Sequence, residues 1–282
     1  QPVEYYAIEA GCHHGGGPVT ASRKPAEEQA GLDSEGRLID GAVAESKLAA
    51  FAAEPLAGTV SSYQKTKKQE PQRLPFSLSS LQVLAGKRYG YEPQLVLDTA
   101  QKLYERKLTT YPRSDCEYLP LNQLPDAKTI LRNLTSSDDG QLAGWAAGSN
   151  AGIKSRAWND KKISAHHAII PTTVKVNTAS LSEVEHNIYF LVAQAYIAQF
   201  YPVHSYDQTK IGITYKQELF TASGRVVRDM GWKLLYAANP EKDEEDEDGS
   251  SLPVMKKKDR VEYAGGKLDK KAWFVICDNY VT

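Results

Sequence analysis

The apolar positions of this chain change their spacing twice. Up to about residue 70 they come in short alternating runs. Glu4-Tyr5-Tyr6-Ala7-Ile8-Glu9 is rich in strand formers, Val60-Ser61-Ser62-Tyr63 fits another strand, and Gly15-Gly16-Gly17-Pro18 reads as a loop, with His13 and His14 beside the glycines read as loop residues too. Residues 45–53, around Leu48 and Phe51, read as a short helix. From about residue 75 the period is helical. Leu78, Leu81, Ala85 and Tyr89 share one face, and Gly90 closes the segment. Pro93 suits a helix start, and Val96, Leu97, Ala100, Leu103 and Tyr104 follow with amphipathic spacing. A helix is also expected around Ala127 to Leu134, whereas Gly140 to Gly152 is small and polar and reads as a mobile loop. The clearest helix spans 181–200: Ser180 and Glu183 spell a capping box, Val184, Ile188, Leu191 and Ala195 form its stripe, and Pro202 follows. After 203 alternation returns at Ile211 and Ile213 and at Val261 and Tyr263, and Trp273 to Cys277 reads as a buried strand.

Strands, then helices, then strands imply an α+β fold in which a helical domain, residues 71–202, is inserted into a mainly β domain built from 1–70 and 203–282. A chain of 282 residues is long enough for a real core. No run of 18 apolar residues exists, so no membrane span is expected. Cys12, Cys116 and Cys277 are far apart and odd in number, which argues against a disulfide framework and suits a reducing cytoplasm. The start, Gln1-Pro2-Val3-Glu4, is no signal peptide and lacks an initiator Met, as in an excised fragment. The net charge of −1 is misleading. Glu241 to Asp248 alone carries −6, so the rest of the chain sums to +5. That permits a phosphate-binding face and leaves the acidic run as a solvated loop.

One segment carries nucleophile chemistry. Leu108-Thr109-Thr110-Tyr111-Pro112-Arg113-Ser114-Asp115-Cys116 follows a helix and is polar. A tyrosine phenol ionises near pH ~10 and needs activation before it can attack a phosphodiester. The Arg113 guanidinium fork, two residues on, suits a non-bridging phosphate oxygen, where charge builds during transfer. By chemistry alone, a tyrosine packed at a loop edge explains the same residues.

The string Leu108 to Pro120, LTTYPRSDCEYLP, resembles the active-site signature of type IA topoisomerases in its topoisomerase III form. Pro75 to Gln82 (PFSLSSLQ) is similar to that family's helix-opening motif, and Trp158 to Lys162 with Ser164 to Thr172 (SAHHAIIPT) resembles its histidine motif. Gly231-Trp232 and Leu252-Pro253 also fall where the family has them. The resemblance weakens only after about Lys267.

The resemblance implies specific roles. Tyr111 would attack single-stranded DNA, form a 5′-phosphotyrosine bond and release a 3′-hydroxyl, with relaxation or decatenation following by strand passage. Arg113 and His166 match phosphate-contacting residues, and Thr110 matches a position lining the same site. The mainly β domain would be the family's β arch. The partner would be single-stranded DNA, the protein a monomer, and the cofactor Mg2+. The magnesium ligands are expected on a Toprim domain of the same polypeptide and none in this segment, so the segment alone is expected to be inactive.

From the residues themselves, Ser77, Ser79 and Gln82 could hold DNA phosphates at a helix start, although helix capping by the serines fits equally. Lys87, Arg88, Lys102, Arg106 and Lys107 make a basic set near the tyrosine, with Lys102 and Lys107 the favoured DNA contacts. His167 is expected to be local structure. Tyr5, Tyr6, Trp232 and Trp273 are expected in the core. Two other classes stay open: a single-strand-binding module in which Tyr111 does no chemistry, and a metal-dependent phosphodiesterase using His166 and His167, for which a third ligand is missing.

Overall fold

The computed structural model of the chain describes residues 2–52, 57–163, 165–237 and 251–274. The chain divides into two compact units, one of Gln1–Lys68, Tyr206–Val227 and Glu245–Thr282, the other of Gln69–Ser205 and Arg228–Glu244.

The first unit is a closed barrel. Its strands are β1 (Pro2–His14), β2 (Gly17–Lys24), β3 (Ala57–Glu70), β4 (His204–Tyr215), β5 (Glu218–Asp229) and β6 (Arg260–Phe274), in the spatial order β1-β2-β5-β4-β3-β6. Closure leaves no unpaired edge, so the alternating runs need bury only one face. On β2, Val19, Ala21 and Arg23 point inward and their neighbours outward. The inner faces supply Ile8, Ala10, Cys12, Val60, Ile211, Ile213, Tyr215 and Phe220 to one apolar cluster. Helix α1 (Gly41–Ala52) adds Ala44 and Phe51 to it. The buried Arg23 is matched by Glu218, at 2.6 and 2.9 Å, and Lys47 meets the same carboxylate at 2.6 Å. Two sequence readings shift here. The glycine loop shrinks to Gly15-Gly16, because His14 pairs with Gly17 and His13 with Pro18 across the hairpin. His13 and His14 are therefore strand residues, and His14 bonds Asp259 at 3.1 Å. Of the expected strand Trp273 to Cys277, residues 275–277 lie outside the described residues, as does the acidic run 241–248.

The second unit is built around α6 (Glu183–Ala198), which is buried on every side from Ile188 to Ala198 rather than along one stripe. Around it stand α2 (Leu78–Tyr89), α3 (Pro93–Glu105), α4 (Ala127–Thr135) and α5 (Gly140–Ala147). Gly90 ends α2 in the left-handed region at φ 72°, and Pro93 opens α3. Two helical details depart from the sequence reading. Residues 140–147 are helical, not a mobile loop: Asp139 caps the Gln141 and Leu142 amides, and Leu142 and Ala146 are buried. The capping box of α6 is Ser182 with Glu185, not Ser180 with Glu183. Both pairs have the required spacing, but Ser180 instead sits in a 3-10 turn where its hydroxyl donates to the Asn177 carbonyl.

Residues 228–237, expected from the sequence in the β domain, group with this helical unit. The reason lies at Gly231-Trp232. Trp232 is 3% exposed in the helical core, and its indole N–H donates to the Glu70 carbonyl at 3.0 Å. Gly231 has φ 51°, and a side chain there would strike the Pro202 carbonyl oxygen and lie 2.6 Å from that of Val203. Only glycine fits both the dihedral and the space.

Candidate active site

The chemistry-bearing loops of the helical unit are held by a small lattice of extended segments. Residue Phe76 bridges to Ile169, Thr109 to Pro171, and Leu119 to Trp158. The Ile169 amide donates to Phe76 O at 2.8 Å and the Ala168 amide to Tyr118 O at 2.9 Å. The Leu78 amide, at the start of α2, donates to Ser114 O at 2.8 Å. The helix-opening, tyrosine and histidine motifs therefore meet in one place, although they are far apart in sequence.

Tyr111 follows α3 by a short turn in which Lys107 takes the left-handed conformation, φ 59°. It is half-buried and lies between two rings. Tyr104 meets it edge-on at 5.7 Å, and the His166 ring lies 4.6 Å away at 38°. Pro112 and Ser114 are buried on either side of Arg113, which is exposed and makes no hydrogen bond or ion pair among the described residues. His166 is also exposed. The Tyr111 and His166 rings meet, and the Arg113 guanidinium two residues on is exposed to solvent, as recognition of a polyanion would require.

The other sequence-selected residues divide. Thr110 is drawn inward: its hydroxyl donates to Ala168 O at 3.1 Å and accepts from the Ile170 amide at 3.0 Å. Ser77 is 4% exposed and forms the capping box of α2 with Ser80. Gln82 donates to Pro93 O at 2.9 Å and ties α2 to α3. Ser79, Lys102 and Lys107 are exposed. Arg106 is committed to Glu185 at 3.5 Å and Ser180 at 3.2 Å, and Arg88 lies over the Tyr89 and Phe190 rings. His167 is packed. Its Nδ1 faces Ala168 O at 2.8 Å and its Nε2 faces Gln123 at 3.0 Å. Burial pushes its pKa down. With both nitrogens engaged, His167 has none left for a metal. Among the described residues no three His, Cys, Asp or Glu side chains converge.

Two contributors escaped the sequence reading. Tyr104 was placed on the core stripe of α3, yet it is 40% exposed and braces Tyr111. Its position at the edge of that stripe was the available signal. Gln123 holds His167 from a 3-10 turn, Leu121–Asp126, and carries no local signal.

Residues 1–272 match the family described as DNA topoisomerase, and the chain belongs to that family. Its curated relatives are DNA topoisomerase 3 proteins. The one from Vibrio cholerae is 37% identical over 267 residues, 90% of this chain and 40% of the relative. That from Salmonella typhimurium is 38% identical over 81% of this chain and 34% of its own length, and that from Bacillus subtilis 36% over 72% and 28%. The chain thus spans about 40% or less of the relatives it matches. The fold is that of full-length topoisomerase I from Thermotoga maritima, with a TM-score of 0.62 over 97% of this chain and 41% of that one, at 16% identity. The type IA topoisomerase resemblance read from the motifs holds. No helix among the described residues is long and apolar enough to cross a membrane.

Proposed function

We propose that this chain carries the nucleophile of a DNA strand-passage reaction and that Tyr111 is that nucleophile. Its hydroxyl oxygen attacks the phosphorus of a phosphodiester in single-stranded DNA and gives up its proton. A bond forms between phosphorus and the phenolic oxygen, the bond to the 3′ oxygen breaks, and that oxygen leaves as a 3′-hydroxyl once protonated. The strand end stays on the protein as a 5′-phosphotyrosine. The reverse attack of the 3′-hydroxyl reseals the strand and frees the tyrosine, so no bond energy is lost and no ATP is required. Arg113 and His166 face the non-bridging oxygens, where negative charge grows in the transition state. The magnesium expected for the reaction is held, on this reading, by a Toprim domain of the longer polypeptide, and its charge adds to theirs.

The observation that carries the reading is the 4.6 Å approach of the Tyr111 and His166 rings, brought together from separate motifs, with the exposed Arg113 two residues on. The test is covalent capture. Full-length protein is incubated with a single-stranded oligonucleotide labelled at its 3′ end, then denatured. Label should remain on the protein, at a peptide containing Tyr111, and vanish with Tyr111→Phe. Label on another residue would refute the assignment.

A further inference from the structure

We propose that Thr110 is a positioning residue: its hydroxyl clamps the tyrosine loop to the histidine segment and thereby sets Tyr111 against His166, acting within the protein rather than on DNA. The inference rests on Tyr111 as nucleophile for its effect on rate, but not for its effect on geometry.

Residues 108–110 run antiparallel to 170–172, with Thr109 opposite Pro171. The two form a non-hydrogen-bonded pair, so their main-chain bonds lie on either side, from the Thr110 amide to Ile170 O at 2.9 Å and from the Thr172 amide to Leu108 O at 3.1 Å. The Thr110 side chain adds to these. Its one proton goes to Ala168 O at 3.1 Å, and its oxygen accepts from the Ile170 amide at 3.0 Å. Two polar groups two residues apart are thus fastened to one hydroxyl, across 58 residues of sequence.

Those bonds sit where they control the rings. Tyr111 is the next residue after Thr110, and His166 lies just before Ala168. His166 is exposed and makes no hydrogen bond among the described residues, so its ring is located by the backbone that follows it. His167 reinforces that point through Nδ1 and the Ala168 carbonyl, but from its own strand. Among the bonds joining that segment to the tyrosine loop, those of Thr110 lie nearest the two rings. Its only hydroxyl proton is already given to the protein, so it has none to offer a phosphate oxygen. A nucleophile displaced by about 1 Å loses roughly 10²-fold in rate, which is the scale on which such a clamp acts.

The experiment compares Thr110→Val, which keeps the shape and removes the hydroxyl, with Thr110→Ser, which keeps the hydroxyl, and with Thr172→Val. Thr172 bonds the Lys107 carbonyl between the same segments, but farther from the rings. Single-turnover cleavage of a labelled oligonucleotide is measured in the full-length protein, with single-strand affinity measured separately. In this 31.2 kDa chain, the nuclear Overhauser cross-peak between the Tyr111 and His166 rings is measured with selective labelling. Thr110→Val should lower the cleavage rate by about 10- to 100-fold, leave affinity within about two-fold, and weaken the cross-peak. Thr110→Ser should restore both readouts, and Thr172→Val should move neither. A Thr110→Val protein that keeps the cross-peak overturns the clamp, as does one that loses affinity instead of rate, or a Thr172→Val protein equally impaired at the same melting temperature. The cross-peak decides the clamp by itself if Tyr111→Phe shows that cleavage uses another residue.

Discussion

At the residue scale, the proposed reaction asks one thing of Tyr111 and another of Arg113. On that proposal the phenol supplies an atom to the new bond, so its removal is absolute. Tyr111→Phe should abolish the covalent adduct while single-strand binding persists, because the ring and its two aromatic neighbours remain. Arg113 would supply charge, and loss of one preorganised donor costs about 10²–10³ in rate. Arg113→Ala should therefore cleave slowly but measurably in single-turnover assays, and wild-type rates from it would remove Arg113 from the site. The two histidines differ in kind. His166 faces Tyr111, while His167 is half-buried and its ring is engaged by Gln123. Burial lowers the folded pKa of His167 below the ordinary 6.5, so the unfolded chain binds the extra proton first as pH falls. Its contribution to stability is complete above pH 6.5 and is lost as pH drops from there towards the lowered value. Melting curves between pH 5 and 8 should show that decline in the wild type and a shallower one in His167→Gln.

At the scale of elements, termini and tight turns carry the predictions. Gly231→Ala meets both a left-handed dihedral and two carbonyl oxygens, and should cost roughly 3 kcal/mol. Chemical denaturation measures it, and a change under 1 kcal/mol would show that the segment shifts freely. Ser182→Ala removes the box that opens the central helix and should cost about 1 kcal/mol, whereas Ser180→Ala should leave α6 intact. Asp138 takes the Thr178 hydroxyl and the Thr178 and Ala179 amides on one carboxylate, which holds its pKa well below 3.8. Asp138→Asn should thus lower the melting temperature at neutral pH, and the gap to wild type should close as pH falls below about 4, where the unfolded carboxyl protonates first. The legible parts of the fold were those written locally. Gly90 and Pro93 mark α2 and α3 because backbone sterics act within a few residues, and the alternation at Ile211 and Ile213 marks β4. α5 escaped because its Gly140 and Gly144 hide a helix that an Asp cap and tertiary burial of Leu142 maintain. At the site, the motifs marked Tyr111, Arg113 and His166 as candidates. Their shared environment was not legible, since Tyr104, Gln123 and the Thr110 clamp exist only once residues far apart in sequence meet.

At the scale of the whole molecule, charge and completeness govern what the chain does alone. The −1 net charge conceals a +5 remainder outside the acidic run, and Arg113, Lys102 and Lys107 are exposed in the unit that holds Tyr111. Single-strand binding by this chain should therefore be weak and salt-dependent, and each of these cations changed to Ala should reduce the log–log salt slope by about one. Catalysis is a different matter. The chain spans 40% of the Vibrio cholerae relative, and on the proposed reading magnesium is held by a Toprim domain rather than by this chain. Arg113 and His166 offer only part of the charge stabilisation that a weak phenolic nucleophile needs. Strand passage further requires that the cut ends be held apart and rejoined, which calls for a second DNA-gripping element besides the tyrosine. We therefore expect the 282-residue chain by itself to leave negatively supercoiled plasmid unrelaxed in the presence of magnesium, and to form no adduct with an oligonucleotide. Adding a separately expressed Toprim-containing segment of the same polypeptide should restore the adduct, and only with intact Tyr111. Gel electrophoresis of the plasmid and denaturing gels of the labelled oligonucleotide read both outcomes. Relaxed topoisomers from the chain alone would mean that Tyr111, Arg113 and His166 suffice, and that the charge assigned to magnesium comes from side chains within these 282 residues.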